Sequence, residues 1–553
     1  MSSPRTAQVR VDASAWQGEL AHSWNYIGYD EINYTTTPEG EELLAKFMAM
    51  QEKPYFVRPH HLFCTGNGHG FYKWGSTNAY LEDDDGTPIY DWTIVDQVFD
   101  TILKYKCKPF VELGFMPQDL ADPAHYDIGA DAWNGAQYRA TGWAAPPKDY
   151  QKWYNLVYAL VQHSKERYGE DEINSWYWEL WNEPDISYWR GTPEEFNKLY
   201  DYTAAAVRAA SPTARVGGPA TTNPRPDSHA AAYLEGFLEH CANGKNEYTG
   251  GTGAPLDFIT FHVKGGGYRA DPRHRKQNPP SVKQVLRDTK NGYEIISKYP
   301  QFQGLECILS EIDPDGWAAG GAHDNANLNF RNTEYYASFT AAAFDKVNRF
   351  AKQNNWDLRL LTWAFMFVGE RCFEGTRVFS TQGIDKAIMN LFRMYAQIGT
   401  QQVAFESSEA KNPLDYADHN GRGEKPDIAG FAALSGSKQL NVLVYNHHDD
   451  WDMREEYTVE LEVAGLPFAG TTVKVTHQRV DAEHSNAYAE WVRQDKPNYP
   501  APGQRAAIKA RDGLELLEAP RTVETADGTL RLSFAIPVHG ISLMTFTTIE
   551  ETV

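Results

Sequence analysis

The stretch WYWELWNEPD, Trp176–Asp185, is a run of aromatic and apolar residues that ends in an amide and a carboxylate. Its first part, Trp176–Trp181, is typical of a buried strand, and the polar residues after it are typical of a strand that ends at a site. Before this stretch, Tyr150–Tyr168 has the spacing of an amphipathic helix, and after it Pro193–Ala210 has the same spacing. Strands and helices are therefore predicted to alternate around this motif.

The alternation continues from about residue 20 to about residue 400 and amounts to eight β/α units. Eight such units predict an α/β fold of the (β/α)8 TIM-barrel type. The candidate strands are Trp24–Gly28, Tyr55–Pro59, Phe110–Phe115, Trp176–Trp181, Arg215–Pro219, Asp257–His262, Glu306–Glu311 and Arg359–Phe365.

The last part of the chain has a different pattern, with short β-rich segments separated by Gly, Pro and Asp turns. This pattern predicts an accessory antiparallel β-sandwich. We expect residues 1–15 to contribute an N-terminal strand to the sandwich, residues 16–404 to form the barrel and residues 405–553 to form the sandwich. The polar segment Asn412–Lys425 is the expected linker or covering loop.

The composition excludes several classes of protein. The chain has 553 residues, with 74 acidic and 52 basic side chains and a net charge of −22, so a basic footprint for nucleic acid is absent. No apolar run is long enough to predict a transmembrane helix. The 16 Trp, 31 Tyr and 26 Phe argue against disorder, and flat rings of this kind also stack on sugars.

The start of the sequence lacks a charged segment followed by an apolar one, so a signal peptide is not indicated. We expect a cytoplasmic protein, or a secreted or periplasmic one whose signal peptide has been removed. The five cysteines have no CxxC spacing, which favours buried thiols over a zinc site or a disulfide framework.

Two glutamates follow predicted barrel strands. Glu183 comes just after the fourth strand, and Glu311, in CILSEIDPDGW, ends the seventh, 128 residues later. Three β/α units of about 40 residues span that distance, and strands four and seven face each other across a barrel mouth. Paired carboxylates there suit glycoside hydrolysis, in which one gives a proton to the leaving oxygen and the other attacks the anomeric carbon. Asn182 would hydrogen-bond the sugar 2-hydroxyl.

The segment Trp178–Ala220 resembles glycoside hydrolase family 39, as do VRPHHLF, FVELGF, LDFITFHVKG and LSEID. That family contains β-xylosidases and α-L-iduronidases, which are retaining enzymes with a (β/α)8 barrel and a β-sandwich. The resemblance implies that Glu183 is the acid/base and Glu311 the nucleophile. Such a reaction needs no cofactor, and no metal site is predicted.

The sequence is compatible with two classes of sugar, a uronic acid and a neutral pentose. The sixth strand ends in His262-Val263-Lys264-Gly265, which resembles the iduronidase branch of the family. The β-xylosidases of the family tend to have His-x-Tyr at this position, so Lys264 stands in the place of their tyrosine. A lysine there would bind a substrate carboxylate, with Arg371 as a candidate second cation. The alternative is that both cations pair with acidic neighbours and that the substrate is a neutral pentose such as xylose or arabinose.

Three more residues are candidates for substrate binding. His60 and His262 end strands two and six, and Trp363 on strand eight is the candidate stacking platform under the terminal sugar. The long segments Gly66–Tyr90 and Gln118–Pro147 follow strands two and three and would narrow a groove to a pocket.

The sequence therefore favours a retaining, β-xylosidase-like exo-glycosidase. It would release a terminal pentose such as xylose or arabinose from an oligosaccharide or another glycoside, or from a plant-type or other polysaccharide. A uronide-releasing enzyme, a disaccharide-releasing or endo-acting enzyme and a non-catalytic carbohydrate-binding protein are the alternatives. Neither a nucleic acid nor a membrane is an expected partner, and the oligomeric state stays open, with a homo-oligomer among the options.

Overall fold

Eight parallel strands close into a barrel in the computed structural model of this chain. The structure describes residues 5–50, 53–66, 75–127, 141–268, 276–317, 320–364, 366–412, 424–468, 472–525 and 528–548. Each barrel strand pairs in parallel with the next one along the chain, and the eighth pairs with the first. Strands one to eight are Tyr26–Tyr29, Phe56–Pro59, Lys108–Leu113, Tyr177–Leu180, Arg215–Thr221, Phe258–Lys264, Glu306–Asp313 and Leu358–Trp363. The predicted TIM barrel is confirmed.

Helices connect the barrel strands, and their ends follow local sequence signals. The helix Pro193–Ala210 begins with a capping box, in which Thr192 accepts from the backbone of Glu195 and the Glu195 side chain accepts from that of Thr192. The α-helices in this part of the chain are Pro38–Ala49, Thr93–Lys104, Tyr150–Tyr168, Glu170–Asn174, Pro193–Ala210, His229–Asn243, Val282–Ile296, Glu334–Gln353 and Ala387–Tyr395. Short 3-10 helices span Ile32–Thr36, Pro123–His125, Pro300–Phe302 and Ala326–Asn332.

The second domain is a ten-stranded, largely antiparallel sheet. Apolar side chains from both ends of the sheet pack into one core cluster, which is separate from that of the barrel. This arrangement agrees with the predicted accessory β-sandwich. From one edge to the other, the strands are Glu515–Leu516, Thr472–Val480, Ile541–Thr547, Gln439–His447, Asp427–Ser435, Gln401–Ser407, Thr6–Glu19, Glu456–Ala464 and Thr529–Pro537, and Arg521–Glu524 also pairs with Thr472–Val480.

The N-terminal strand Thr6–Glu19 is an interior strand of this sheet, antiparallel to Gln401–Ser407 and parallel to Glu456–Ala464. It extends past residue 15, and Gln401–Ser407 begins before residue 405, so both strands cross the residue limits expected from the sequence. Of the expected linker Asn412–Lys425, residues 413–423 lie outside the described residues.

Two features of the loops were not expected from the sequence. Helices Ala487–Arg493 and Pro502–Lys509 interrupt the β-rich domain, and Cys372 of the barrel donates its backbone N–H to Asn498 between them. Small antiparallel pairs also form between Tyr80–Glu82 and Pro88–Tyr90 and between Ser380–Thr381 and Ile384–Asp385. Residues 67–74 and 128–140 of the two predicted long segments, and Phe365 of the predicted eighth strand, lie outside the described residues.

All five cysteines are free and buried, as predicted. Within the described ranges, none of the helices is both long enough and apolar enough to cross a membrane.

Candidate active site

The end of strand four brings Asn182 and Glu183 to the barrel mouth. Trp181 and Glu183 have φ angles of +66° and +44°, a region that residues other than glycine seldom adopt. The Glu183 backbone N–H donates to the Ala220 carbonyl at 2.9 Å, and the Trp181 indole donates to the Tyr188 carbonyl at 2.9 Å. The buried tryptophan and the turn behind it therefore hold this strained backbone in place.

Glu311 on strand seven lies opposite Glu183, and His262 lies beside both. Nδ1 of His262 is 2.8 Å from Oε1 of Glu183 and 3.8 Å from Oε1 of Glu311. One carboxylate oxygen of each glutamate and one ring nitrogen of His262 all lie within 4.8 Å of one another. The Glu183 side chain keeps 16% of its surface exposed and that of Glu311 keeps 6%. The structure thus brings the two glutamates and His262 together.

Five basic side chains, with His262 among them, surround the Glu311 carboxylate. Nζ of Lys264 is 2.5 Å from Oε2, and Nη2 of Arg377 is 3.6 Å from the same oxygen. Nε2 of His60 is 3.5 Å and Nη1 of Arg58 is 3.7 Å from Oε1. Burial alone would favour the neutral acid, but Lys264, His262, His60 and Arg377 outweigh it and hold the pKa of Glu311 well below its usual range. Glu311 is therefore ionised at neutral pH.

Arg58 connects strands two, three and four beneath the two glutamates. Its fully buried guanidinium donates to Glu179 at 2.5 Å and to Asn182 at 3.2 Å, and it lies 2.9 Å from Glu112. The amide of Asn182 is thereby fixed next to Glu183. Arg58 was not among the residues predicted from the sequence, although it shares one face of strand two with His60, two residues later.

His60 is held between two carboxylates. Its Nδ1 is 2.6 Å from Glu112, and its Nε2 faces Glu311. Burial opposes protonation of the ring, but Glu112 and Glu311 outweigh burial and raise the pKa of His60 to about 9. His60 therefore adds a positive charge beside Glu311 at neutral pH.

The raised pKa of His60 has a consequence for stability. The contribution of this group is complete below pH 6.5, the ordinary value, and is lost as the pH rises through about 9. We expect the free energy of unfolding of the wild type to fall by up to about 3 kcal/mol more than that of His60→Asn across this interval. Urea unfolding of both proteins at several pH values measures this difference, and parallel pH profiles would contradict it.

Lys264 pairs with two acids rather than with Glu311 alone. Its Nζ is 2.6 Å from Oδ2 of Asp313, which also lies 3.3 Å from Nη1 of Arg377. Burial opposes ionisation of Asp313, but Arg377 and Lys264 outweigh it and lower the pKa of this carboxyl. The other oxygen of Asp313 accepts from Thr362 and from the Trp363 backbone, both at 3.1 Å.

Trp363 lies at the end of strand eight, close to these charges. The Arg377 guanidinium is 5.7 Å and the Lys264 ammonium 6.0 Å from its ring centre. A Cβ atom at Gly28 would come within 2.4 Å of the Trp363 ring, so strand one needs glycine there. Among the described residues, the buried indole nitrogen has no hydrogen-bond partner.

Arg371 does not contact this cluster. Its guanidinium donates to the two carboxylate oxygens of Glu374 at 2.6 and 3.1 Å, and its side chain is 40% exposed. Arg371 thus pairs with an acidic neighbour, which was the alternative left open by the sequence, and it is Arg377 on the same loop that approaches Glu311 and Asp313. The sequence holds no signal that separates the two arginines, since the path of the loop decides which one turns inward.

Glu183, His262 and Glu311 have the atom types and spacing of a metal site. The basic groups around Glu311 repel a further cation, however, and Lys264 already pairs with Oε2 of Glu311. These residues fit a pair of acid/base and nucleophilic carboxylates better than a metal centre.

Comparison with known proteins shows the family from the sequence and the fold from solved structures. The model of the family described as "Glycosyl hydrolases family 39" matches residues 7–529. A β-xylosidase of Caldicellulosiruptor saccharolyticus is 33% identical over 76% of this chain and 76% of its own length. An α-L-iduronidase of Mus musculus is 24% identical over 82% of this chain and 68% of its own. The structure of a monomeric β-xylosidase from Caulobacter crescentus shares the fold, with a TM-score of 0.77 at 19% identity over 98% of this chain and 99% of that one.

Proposed function

Because the chain belongs to glycosyl hydrolase family 39, we propose that it is a retaining, exo-acting glycosidase that releases a terminal neutral pentose, xylose or arabinose. The substrate would be an oligosaccharide or polysaccharide. The observation that carries the proposal is that one carboxylate oxygen of Glu183 lies within 4.8 Å of one carboxylate oxygen of Glu311. Retaining glycosidases hold these groups about 5–5.5 Å apart, whereas inverting enzymes leave room for a water at about 6.5–9.5 Å.

Glu311 has the electrostatics of a nucleophile, since the surrounding cations keep it ionised. In the first step, a Glu311 oxygen forms a bond to the anomeric carbon while the bond to the leaving oxygen breaks, and Glu183 gives that oxygen its proton. In the second step, Glu183 takes a proton from water, whose oxygen bonds to the anomeric carbon as the ester to Glu311 breaks. Asn182, fixed by Arg58, would hydrogen-bond the sugar 2-hydroxyl.

The preference for a neutral sugar is supported by the partners of the two cations. Lys264 is held between Glu311 and Asp313, and Arg377 between Asp313 and the Asp315 carbonyl, to which it donates at 2.6 Å. Both cations are thus engaged by groups of the protein itself. A substrate carboxylate would have to compete with these buried contacts.

The release of a uronic acid is the second candidate. Lys264 and Arg377 both lie near the ring of Trp363, the candidate stacking platform, so two cations face one side of the site. A uronate carboxylate placed there would meet charges of the right sign. Because an α-L-iduronidase is among the relatives of this chain, L-iduronic acid is the uronic acid that this candidate would release.

Rates on aryl glycosides decide between the two sugars. We expect the β-D-xyloside or the α-L-arabinofuranoside to exceed the β-D-galactoside, the β-D-glucoside and the α-L-iduronide in kcat/KM. Lys264→Met should then slow every substrate by a similar factor, because Lys264 acts on Glu311. A loss confined to the iduronide would favour the uronide instead. Lys346→Met is the matched control, because Lys346 is a buried lysine 3.1 Å from Asp427, outside the site.

Product analysis tests the mechanism and the mode of action. Proton NMR during the first minutes should show the released sugar with the anomeric configuration of the substrate, and an inverted product would refute the assignment of the two carboxylates. Single sugars released from an oligosaccharide would support exo action, and disaccharides or longer products would support the disaccharide-releasing or endo-acting alternative. Binding of oligosaccharides without turnover of any glycoside would favour a carbohydrate-binding protein.

A further inference from the structure

Arg331 is a fully buried arginine outside the group of residues around Glu311. It lies in the 3-10 helix Ala326–Asn332, just before the helix Glu334–Gln353. Its Nε and Nη2 donate to the two oxygens of Asp315 at 3.0 and 2.5 Å. Both residues are inaccessible to solvent, so this is a buried, bidentate ion pair.

The remaining donors of Arg331 reach two different loops. Nη2 donates to the Trp317 carbonyl and Nη1 to the Gly320 carbonyl at 2.9 Å, both in the loop after strand seven. Nη1 also donates at 3.2 Å to the Gly375 carbonyl, in the loop after strand eight. A guanidinium has five N–H donors, and all five are used here. A lysine has three donors and no planar fork, so it cannot reproduce these contacts.

Two of the residues that Arg331 contacts are connected to Arg377, one along the chain and one by a hydrogen bond. Gly375 lies two residues before Arg377, and Asp315 offers its own backbone carbonyl to the Arg377 guanidinium at 2.6 Å. The Ala322 N–H also donates to the Glu374 carbonyl at 2.7 Å, so the two loops lie against each other. The position of Arg377 therefore depends on how these loops are fixed together.

We propose that Arg331 is a positioning residue for the reaction, which joins the loops after strands seven and eight and thereby holds Arg377 against Glu311 and Asp313. This inference rests on the proposed function, because it takes Glu311 as the nucleophile. Arg331 itself does not touch the reacting atoms. Without it, the two loops keep the Ala322–Glu374 hydrogen bond but lose the buried side chain that fixes both, and Arg377 moves away from Glu311.

The test follows the ionisation of Glu311. The charged and titratable groups that face it are Arg58, His60, Glu183, Tyr188, His262, Lys264, Asp313 and Arg377. Removal of one cation from this set should move the midpoint of the acidic limb of the kcat/KM pH profile to a pH about one unit higher. Arg377→Met should show this shift directly, and Arg331→Lys should show most of it together with a fall in kcat of about 10-fold or more.

The double variant separates positioning from general damage. Combined with Arg377→Met, Arg331→Lys should shift the acidic limb no further, because the same cation is already lost. An unshifted limb in Arg331→Lys, or a second full shift in the double variant, would overturn the proposal. Arg479→Lys is the matched control: Arg479 is a buried arginine in the sheet domain, 3.2 Å from Asp481, and its replacement should reduce stability without moving the limb.

A structural measurement keeps the proposal separate from the proposed function. A crystal structure of Arg331→Lys should show Arg377 displaced from Glu311 and Asp313, and an unmoved Arg377 would overturn the proposal even if no glycoside is hydrolysed. If Arg331→Lys does not fold, Asp315→Asn weakens the same ion pair and keeps the Asp315 carbonyl in place. If the wild type hydrolyses a glycoside and Arg331→Lys has the same acidic limb as the wild type, the proposed function stands and only the role of Arg331 is refuted.

Discussion

Replacing Glu311 with alanine is expected to lower kcat by roughly five to six orders of magnitude, the loss typical of removing a covalent nucleophile. The reason is the position of Glu311, which lies near the end of strand seven beside Arg58 and is kept ionised by Lys264, His262, His60 and Arg377. Discontinuous assays with long incubation on an aryl pentoside measure the residual rate.

Azide gives this prediction a chemical signature. A small anion can enter the space left by the Glu311 side chain and attack the anomeric carbon, so part of the activity should return as a glycosyl azide of inverted configuration. Glu306→Ala is the matched control, because Glu306 begins the same strand at the opposite end of the barrel and pairs with Arg215 and Arg359. Normal rates in Glu311→Ala, or an equal loss in Glu306→Ala, would contradict the assignment.

Replacing Glu183 with alanine is expected to have an effect that depends on the leaving group. For a substrate whose leaving oxygen is strongly basic, such as an unsubstituted sugar, kcat/KM should fall by about 10²–10⁴-fold, because the proton given by Glu183 is lost. For an aryl glycoside with an acidic phenol, the first step needs little proton donation and should change far less. The second step should then limit turnover, because no base activates the water.

A series of aryl pentosides with phenols of increasing pKa measures this dependence. The slope of log kcat/KM against leaving-group pKa should be steeper in Glu183→Ala than in the wild type. Azide should again restore turnover, here with a product of retained configuration, since Glu311 still forms the ester. Equal losses for all leaving groups would show that Glu183 does not donate the proton. His262 lies 2.8 Å from Glu183, so His262→Gln is a useful comparison that keeps the carboxylate.

The Glu311 and Glu183 variants test a site whose strand-end residues follow from the sequence more directly than its loop residues do. The alternation of strands and helices is local, and it predicted the barrel that the structure confirms. The spacing of Glu183 and Glu311 follows from that alternation, because side chains at the ends of parallel barrel strands share one mouth. For the same reason, His60, His262 and Lys264 were expected at the mouth, and the structure places all three beside the carboxylates.

The predictions were less accurate wherever a loop decides the position of a side chain. Arg371 was expected as the second cation, but Arg377 approaches Glu311 while Arg371 pairs with Glu374. Both arginines belong to one irregular segment that has no periodicity, and its path is set by distant contacts such as that of Arg331 with Gly375. A sequence pattern carries no record of such contacts.

The sequence by itself determined the barrel, the accessory β-domain and the pair of carboxylates at facing strand ends, because these follow from periodicity and from spacing along a regular fold. The tertiary structure alone decided which charges meet. Arg58 joins Glu112, Glu179 and Asn182 from different strands, and Lys264 is shared by Glu311 and Asp313. Electrostatic interactions depend on distances of a few ångströms between residues far apart in the chain, and only the packed barrel fixes those distances.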